Sequence, residues 1–268
     1  MSGVVGGEMR AAGAVVVRKC ETLEEFNVCV ALQREIWGET DLEVEPVTLF
    51  VVAAHTGGQV LGAFDRRRLV GYTLALVGLL EGRPYLHSHM TGVHAEYRDR
   101  GVGRLLKLFQ RDEALGRGIR LIQWTFDPFE LRNAHFNLDR LGAICRQYVP
   151  NLYGVTSSPL HRGLPTDRLL AEWFLDSARV VAAVEGLAKD AGGAAPAAVL
   201  FPAEFEQWRR EGSPELMTLQ ERVRAEFRMW FAKGYAALAT RTTDKGTAYL
   251  LAPWSEFRVQ GQAGQVGD

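Results

Sequence analysis

The sequence predicts an α+β chain built on a mixed sheet, and three observations carry that prediction. Residues 86–116 run from a strand-like segment through a glycine turn into an amphipathic helix, and a second strand-length run, Ile119 to Phe126, follows. Residues 59–80 alternate as two strands about an arginine turn, and Tyr235 to Thr240 with Ala248 to Ala252 repeat that pattern about Asp244-Lys245-Gly246, which adds hairpins. With 268 residues, 47% hydrophobic and 24% charged, the chain can bury a full core as one large domain or two small ones.

Composition excludes several classes. Thirty-one Lys and Arg balance 32 Asp and Glu, so the net charge of −1 leaves no electrostatic footprint for nucleic acid or an anionic membrane. Cys20, Cys29 and Cys145 are odd in number, widely spaced and fit no zinc or Cys-x-x-Cys pattern, which reads as buried thiols in a reducing compartment. Six histidines occur without a metal-binding motif, so no metal is expected. The longest apolar run, Tyr72 to Leu80, is far short of the ~20 residues that span a bilayer, and no cationic segment precedes an apolar core at the N-terminus. The expectation is a soluble, cytoplasmic protein.

Taken in order, residues 1–13 are rich in Gly and Ala and read as mobile. Val15 to Lys19 is a first strand. Thr22-Leu23-Glu24-Glu25 is a capping-box start for a helix to about Trp37. Gly38 to Pro46 carries Glu39, Asp41, Glu43 and Glu45, a solvated acidic loop or, alternatively, an electrostatic gate for a cationic amine. Thr48 to His55 suggests a short helix. Gln59 to Asp65 and Leu69 to Leu80 are strands, and Arg66-Arg67-Arg68 between them a polar turn that keeps a sheet edge soluble.

Leu86 to Gly116 carries the chemistry. A strand ending in Thr91-Gly92-Val93 enters Arg98-Asp99-Arg100-Gly101-Val102-Gly103-Arg104 and then a helix with apolar residues at 105, 106, 108, 109 and 115. A helix start presents unpaired N–H groups and a positive dipole end, so a phosphate or pyrophosphate can sit there. Gly101 and Gly103 remove the Cβ atoms that would hold a ligand off the backbone, and Arg98, Arg100 and Arg104 can fork onto phosphate oxygens. A dinucleotide fingerprint would need a third glycine where Leu106 stands, and no Gly-Lys-Ser/Thr of a P-loop is present. Gly116 and Gly118 stop the helix, and Asp127-Pro128 ends the following strand, placing Trp124 and Asp127 near a strand end. Thr166 to Leu175 reads as a strand with Leu169, Ala171, Trp173 and Leu175 on one face. Ser177 to Lys189 reads as a helix and Gly192 to Pro196 as a linker. Val199 to Phe201, Ala203 to Glu211 and the stripe Leu216, Leu219, Val223, Phe227, Trp230, Phe231 give a strand, a short helix and a long helix.

Arg98-x-x-Gly101-x-Gly103 after a strand, with Asn133 to Ala143 (NAHFNLDRLGA) downstream, resembles motif A and the following segment of the GNAT superfamily of acyl-CoA-dependent N-acyltransferases. SHMTGV, WTFDPFELRNAHFNLDRLGA and PTDRLLAEWFL are similar to one branch of predicted acetyltransferases, over roughly residues 14–175. The resemblance implies a GNAT fold at 14–176; the residues after it read as an α+β extension at 177–257 and a flexible tail at 258–268. It also implies a bulge in the central strand and a pantetheine arm that pairs with backbone at Thr91 and Val93. The first helix and the loop after it would help form the acceptor pocket. Pyrophosphate would lie on Arg98 to Arg104, including Asp99 and Val102, and Asn133 and Asn137 would contact the cofactor.

Transfer to an amine needs a base, a polarised carbonyl and an acid for the departing thiolate. The resemblance places the usual acid, a tyrosine, at Leu138, so Tyr153 and Tyr148 are the substitutes if residues 149–154 fold back. His87, His89 and Asp127 are the base candidates, each with a purely structural alternative as a core histidine or a turn cap. The implied function is N-acetyl transfer from acetyl-CoA to a primary amine of a small molecule or amino acid. Succinyl-CoA stays open as donor and a non-catalytic acyl-CoA sensor as an alternative, and the last ~70 residues pack either on the first domain or on a second subunit of a homodimer.

Overall fold

The computed structural model describes residues 9–10, 15–38, 44–154, 164–187 and 196–254, and the chain divides into two compact units at Gln123/Trp124. The expectations for residues 1–8, for Glu39, Asp41 and Glu43, for the linker before 196 and for the tail lie outside the described residues. Met9 and Arg10, read from sequence as mobile, form a short strand β1 (Met9–Arg10).

In unit 1 the sheet order is β1, β2 (Val15–Lys19), β3 (Gln59–Asp65), β4 (Arg68–Leu80), β5 (Arg83–Val93) and β6 (Leu121–Phe126), which crosses into unit 2. Neighbours from β1 to β5 are antiparallel, whereas β5 and β6 are parallel at Leu86↔Ile122 and His87↔Gln123, where their pairing ends. The sheet is mixed, as expected. Strand alternation buries both faces. Helices α1 (Leu23–Trp37) and α2 (Val47–His55) cover one face, where Phe26, Cys29, Leu32, Phe50 and Ala53 pack on Val60, Phe64, Tyr72 and Leu74. Helix α3 (Val102–Gly116) covers the other, setting Val102, Leu105, Leu106 and Phe109 on Val17, Leu61, Ala63 and Val70.

Local chemistry fixes the ends of α1. Thr22 Oγ1 accepts from Glu25 N at 3.3 Å, the Glu25 carboxylate accepts from Thr22 N at 3.5 Å, and Gly38 at φ 63° closes the helix. The arginine turn differs from expectation. Only Arg66 and Arg67 form the turn; Arg68 pairs with Asp65 in the ladder and reaches Glu96 at 2.9 Å and His94 at 3.1 Å. The turn joins two interior strands, so it protects no sheet edge. Glu81 (φ 51°) and Gly82 (φ 75°) turn the β4–β5 hairpin, both in the left-handed region that a tight two-residue turn requires.

Unit 2 holds α4 (Leu131–His135), a π-helical turn at Phe136–Arg140, β7 (Ile144–Val149), β8 (Arg168–Phe174), α5 (Ala178–Val184), β9 (Ala197–Pro202), α6 (Phe205–Glu211), α7 (Glu215–Ala232), β10 (Tyr235–Thr243) and β11 (Gly246–Pro253). Strands β8, β7, β10, β11 and β9 follow one another antiparallel. Leu169, Ala171, Trp173 and Leu175 are fully buried together, as the alternation predicts. Leu216, Leu219, Val223 and Phe227 of α7 are buried too, while Trp230 and Phe231 are only half-buried. The core is aromatic: Phe129 meets Phe201 and Phe205 edge-on, and Tyr249 meets Phe201 and Phe227. Among the described residues no helix is long and apolar enough to cross a membrane.

The capping box is expected to contribute measurably. Thr22→Ala should destabilise the protein by about 1 kcal/mol in urea unfolding, with the slope unchanged.

Candidate active site

Strand β5 carries one residue more than its partner. Leu74 pairs with Met90 and Ala75 with Ser88, so His89 is the inserted residue of a bulge, the feature expected from the resemblance. The His87 and His89 rings lie 6.3 Å apart, and His89 Nε2 meets Glu45 Oε1 at 2.8 Å. His87 is mostly buried; burial first, then the charges of His89 and Lys107, hold its pKa below the ordinary histidine value, so it is neutral at pH 7.

Ser88 points to the opposite side, into a polar cluster that the sequence reading missed. Lys107 of α3, fully buried, donates to Ser88 Oγ at 2.8 Å and to Gln110 Oε1 at 3.0 Å, and Gln110 Nε2 donates to Ser88 Oγ at 3.3 Å. Burial brings the Lys107 pKa down to about 7. A signal existed: Lys107, Gln110 and Ala114 follow i, i+3, i+7 and form a second inward line beside the apolar stripe of α3.

The glycine turn has the geometry of a cradle. Gly101 caps α3 in the left-handed region at φ 80°, its carbonyl accepting from Leu105 N at 3.0 Å. The first-turn N–H groups of α3 have no carbonyl to reach within the helix. A Cβ on Gly103 would meet nothing nearer than Val93 Cγ2 at 3.8 Å, so the space there is open. Arg98, Asp99 and Arg100 are exposed. Arg98 Nε donates to the Val93 carbonyl at 3.2 Å, Arg100 lies over the Tyr97 ring, and Tyr97 donates to Asp65 at 2.7 Å. The loop is thus braced against the end of β5. Thr91 is matched with Thr73, their hydroxyls 3.1 Å apart. Gly92 has its own reason to lack a Cβ: one would fall 2.7 Å from Ile36 and 2.8 Å from Trp37 at the end of α1.

The other candidates belong to unit 2. Asp127 caps a turn, its Oδ1 accepting from Phe129 N at 2.8 Å, and burial raises its pKa, which makes it a stronger base than a surface carboxylate. Tyr153 is half-exposed; its hydroxyl shares a 2.9 Å hydrogen bond with Thr125, and the Arg168 guanidinium lies 5.3 Å over its ring. Tyr148 is not available as an acid. It donates to buried Asp167 at 2.7 Å in a network with Arg224, and burial pushes its pKa far up. Leu138 is fully buried. Asn133 is exposed, whereas Asn137 is buried and its Nδ2 has no hydrogen-bond partner among the described residues. Among the described residues no group of three or more His, Cys, Asp and Glu is placed to hold a metal ion.

No family model and no curated protein matches the sequence. Solved structures do match. A protein described as an acetyltransferase of the GNAT family, from Desulfovibrio desulfuricans, superposes with a TM-score of 0.50 at 13% identity, over 60% of this chain and 99% of that one. An N-acetyltransferase from Staphylococcus aureus (14% identity, 61% of this chain, 99% of that one, TM-score 0.49) and a GNAT acetyltransferase from Streptococcus pneumoniae (16%, 59%, 98%, 0.48) are similar too. The mixed α+β fold of this chain is that of the GNAT acetyltransferases.

Lys107 imposes a pH dependence on folding. Its folded pKa of about 7 lies below the unfolded value of 10.5, so the cost of a buried ammonium is complete below pH 7 and fades as pH rises toward 10.5. Lys107→Met should be the more stable protein at pH 6–7 by a few kcal/mol, at most about 5, with the gap closing by pH 10. Urea unfolding across that range checks it, and a constant gap would contradict the assignment.

Proposed function

We propose that the chain is an acyl-CoA-dependent N-acyltransferase, with acetyl-CoA the default donor and succinyl-CoA the larger alternative, acting by direct transfer on a primary amine of a small molecule or amino acid. The observation that carries this reading is the cradle at the head of α3, where Gly101, Gly103 and the arginines at 98, 100 and 104 leave open, basic, N–H-rich space of the kind a pyrophosphate needs. Its fold, shared with GNAT acetyltransferases, agrees. A transferase domain at 14–176 followed by an extension at 177–257 belongs to the same reading.

In the proposed reaction the amine nitrogen bonds to the acyl carbon as the carbon–sulfur bond breaks. One of His87, His89 or Asp127 takes the ammonium proton, and Tyr153, the remaining tyrosine candidate, returns one to the thiolate. Thr91 and Val93 would hold the pantetheine arm through backbone groups. Asn133, which is exposed, and Asn137 would contact the cofactor.

Thermal shift tests the cradle. At 100 times Kd, acetyl-CoA should add about 2.7 kcal/mol and raise Tm by roughly 5–10 °C. Gly103→Val should keep the unliganded Tm, because open space receives its side chain, and abolish the shift. No shift in the wild type with CoA, acetyl-CoA or succinyl-CoA at millimolar concentration would overturn the reading. A shift without thiol release in any pool of amino acids or polyamines would make the chain an acyl-CoA sensor, the reading that the buried leucine at 138 favours.

A further inference from the structure

We propose that Glu45 and His89 act as one carboxylate–imidazole base, in which His89 accepts the proton of an aliphatic ammonium acceptor and Glu45 is the positioning residue that holds it. The proposal rests on the acyl-transfer reading above and names both its base and its class of acceptor.

The contact sets the chemistry. A carboxylate can only accept, so the 2.8 Å approach of Glu45 Oε1 to His89 Nε2 places the imidazole hydrogen on Nε2 and leaves the lone pair on Nδ1. The Glu45 carboxylate then stabilises the imidazolium once Nδ1 has taken a proton. Both side chains remain part-exposed, 26% for His89 and 30% for Glu45, so a substrate can reach them, unlike a pair sealed in the core. The backbone aims both groups. His89 is the inserted residue of the β5 bulge, a device that re-aims a side chain, and Glu45 is fixed immediately before Pro46, which caps α2.

The neighbouring histidine is excluded by its surroundings. The charged groups facing His87 are His89 on its own strand and Lys107 from α3, both of which oppose a further positive charge, and Leu76 and Gln123, paired with it from β4 and β6, are uncharged. His89 alone of the two has a carboxylate within hydrogen-bond reach in the described structure. Two similar side chains two residues apart are thereby made unlike, the arrangement that divides acid–base roles.

The acceptor class follows from what such a base is for. An alkylamine, with a pKa near that of lysine at about 10.4, arrives as an ammonium and cannot attack until it loses a proton. An arylamine arrives neutral and needs no strong base. A carboxylate-backed imidazole suits the former, and its negative partner also attracts the cation.

The full-length protein labelled with nitrogen-15 in histidine tests the pair directly, with His89 assigned through His89→Gln. The expected spectrum shows His89 as the Nε2–H tautomer at pH 8, and Glu45→Ala should mix the tautomers while leaving His87 unchanged. A His89 tautomer indifferent to Glu45 overturns the pair by itself. The second arm measures acetyl transfer from acetyl-CoA to spermidine, pooled amino acids and aniline. Glu45→Gln should lower kcat for the aliphatic acceptors about tenfold with little change in KM, Glu45→Asp should recover part of it, and His89→Gln should cost about 10²- to 10⁴-fold. An equal loss with aniline, or a loss in KM alone, overturns the assignment of the proton. Transfer to no amine, in a protein whose melting temperature acetyl-CoA raises, overturns the acyl-transfer reading instead.

Discussion

A single inserted residue in β5 organises the candidate site. Without the bulge, His87 and His89 would continue the period of two and His89 would pair across to β4 like its neighbours. With it, Leu74 and Ala75 oppose three residues of β5, the strand kinks at His89, and that imidazole comes to the Glu45 carboxylate. The same strand meets β6 at only two positions and then runs on to Thr91 and Val93 without it. One strand irregularity thus sets both where the His89 imidazole lies and where β5 parts from β6.

The reverse side of β5 ties α3 to the sheet by more than apolar burial. The apolar stripe of α3 packs closely on Val17, Leu61, Ala63 and Val70 of the sheet. Lys107 and Gln110 add directed hydrogen bonds to Ser88, the residue between the two histidines, and so fix the helix in register with the strand. A fully buried ammonium is a costly way to obtain that register, and its charge also bears on His87. The head of α3, where the cradle lies, is thereby tied to the histidine strand within unit 1.

Much of this was legible in the sequence. The strand, glycine turn and helix at 86–116, the capping box at Thr22, the strands at 15–19 and 59–65 and the one-faced burial of Leu169, Ala171, Trp173 and Leu175 all follow from spacing and local chemistry. What was not legible depends on long-range approach. Glu45 and His89 stand 44 positions apart, and nothing in an acidic loop announces which carboxylate will meet an imidazole. Lys107 hides inside a pattern that lists it as a solvated lysine, because a helical wheel scores residue type and cannot see a serine on the strand beneath. The arginine turn was misread in the same way: Arg68 joins the ladder and its guanidinium serves Glu96 and His94, contacts decided by the β4–β5 pairing.

The tyrosines show how far residue type alone can mislead about an acid. Tyr148 and Tyr153 are five positions apart and equally plausible by chemistry, yet their surroundings separate them. Tyr148 donates to a carboxylate that also accepts from Asn151 N and binds Arg224 through both oxygens, so its hydroxyl is a structural strut whose proton is held where no thiolate could draw it. Tyr153 stays half-exposed, with a neutral threonine as its hydroxyl partner and a guanidinium over its ring. Leu138, by contrast, is sealed in the core, so burial rather than residue type separates the positions that a ligand from solvent can reach from those that it cannot.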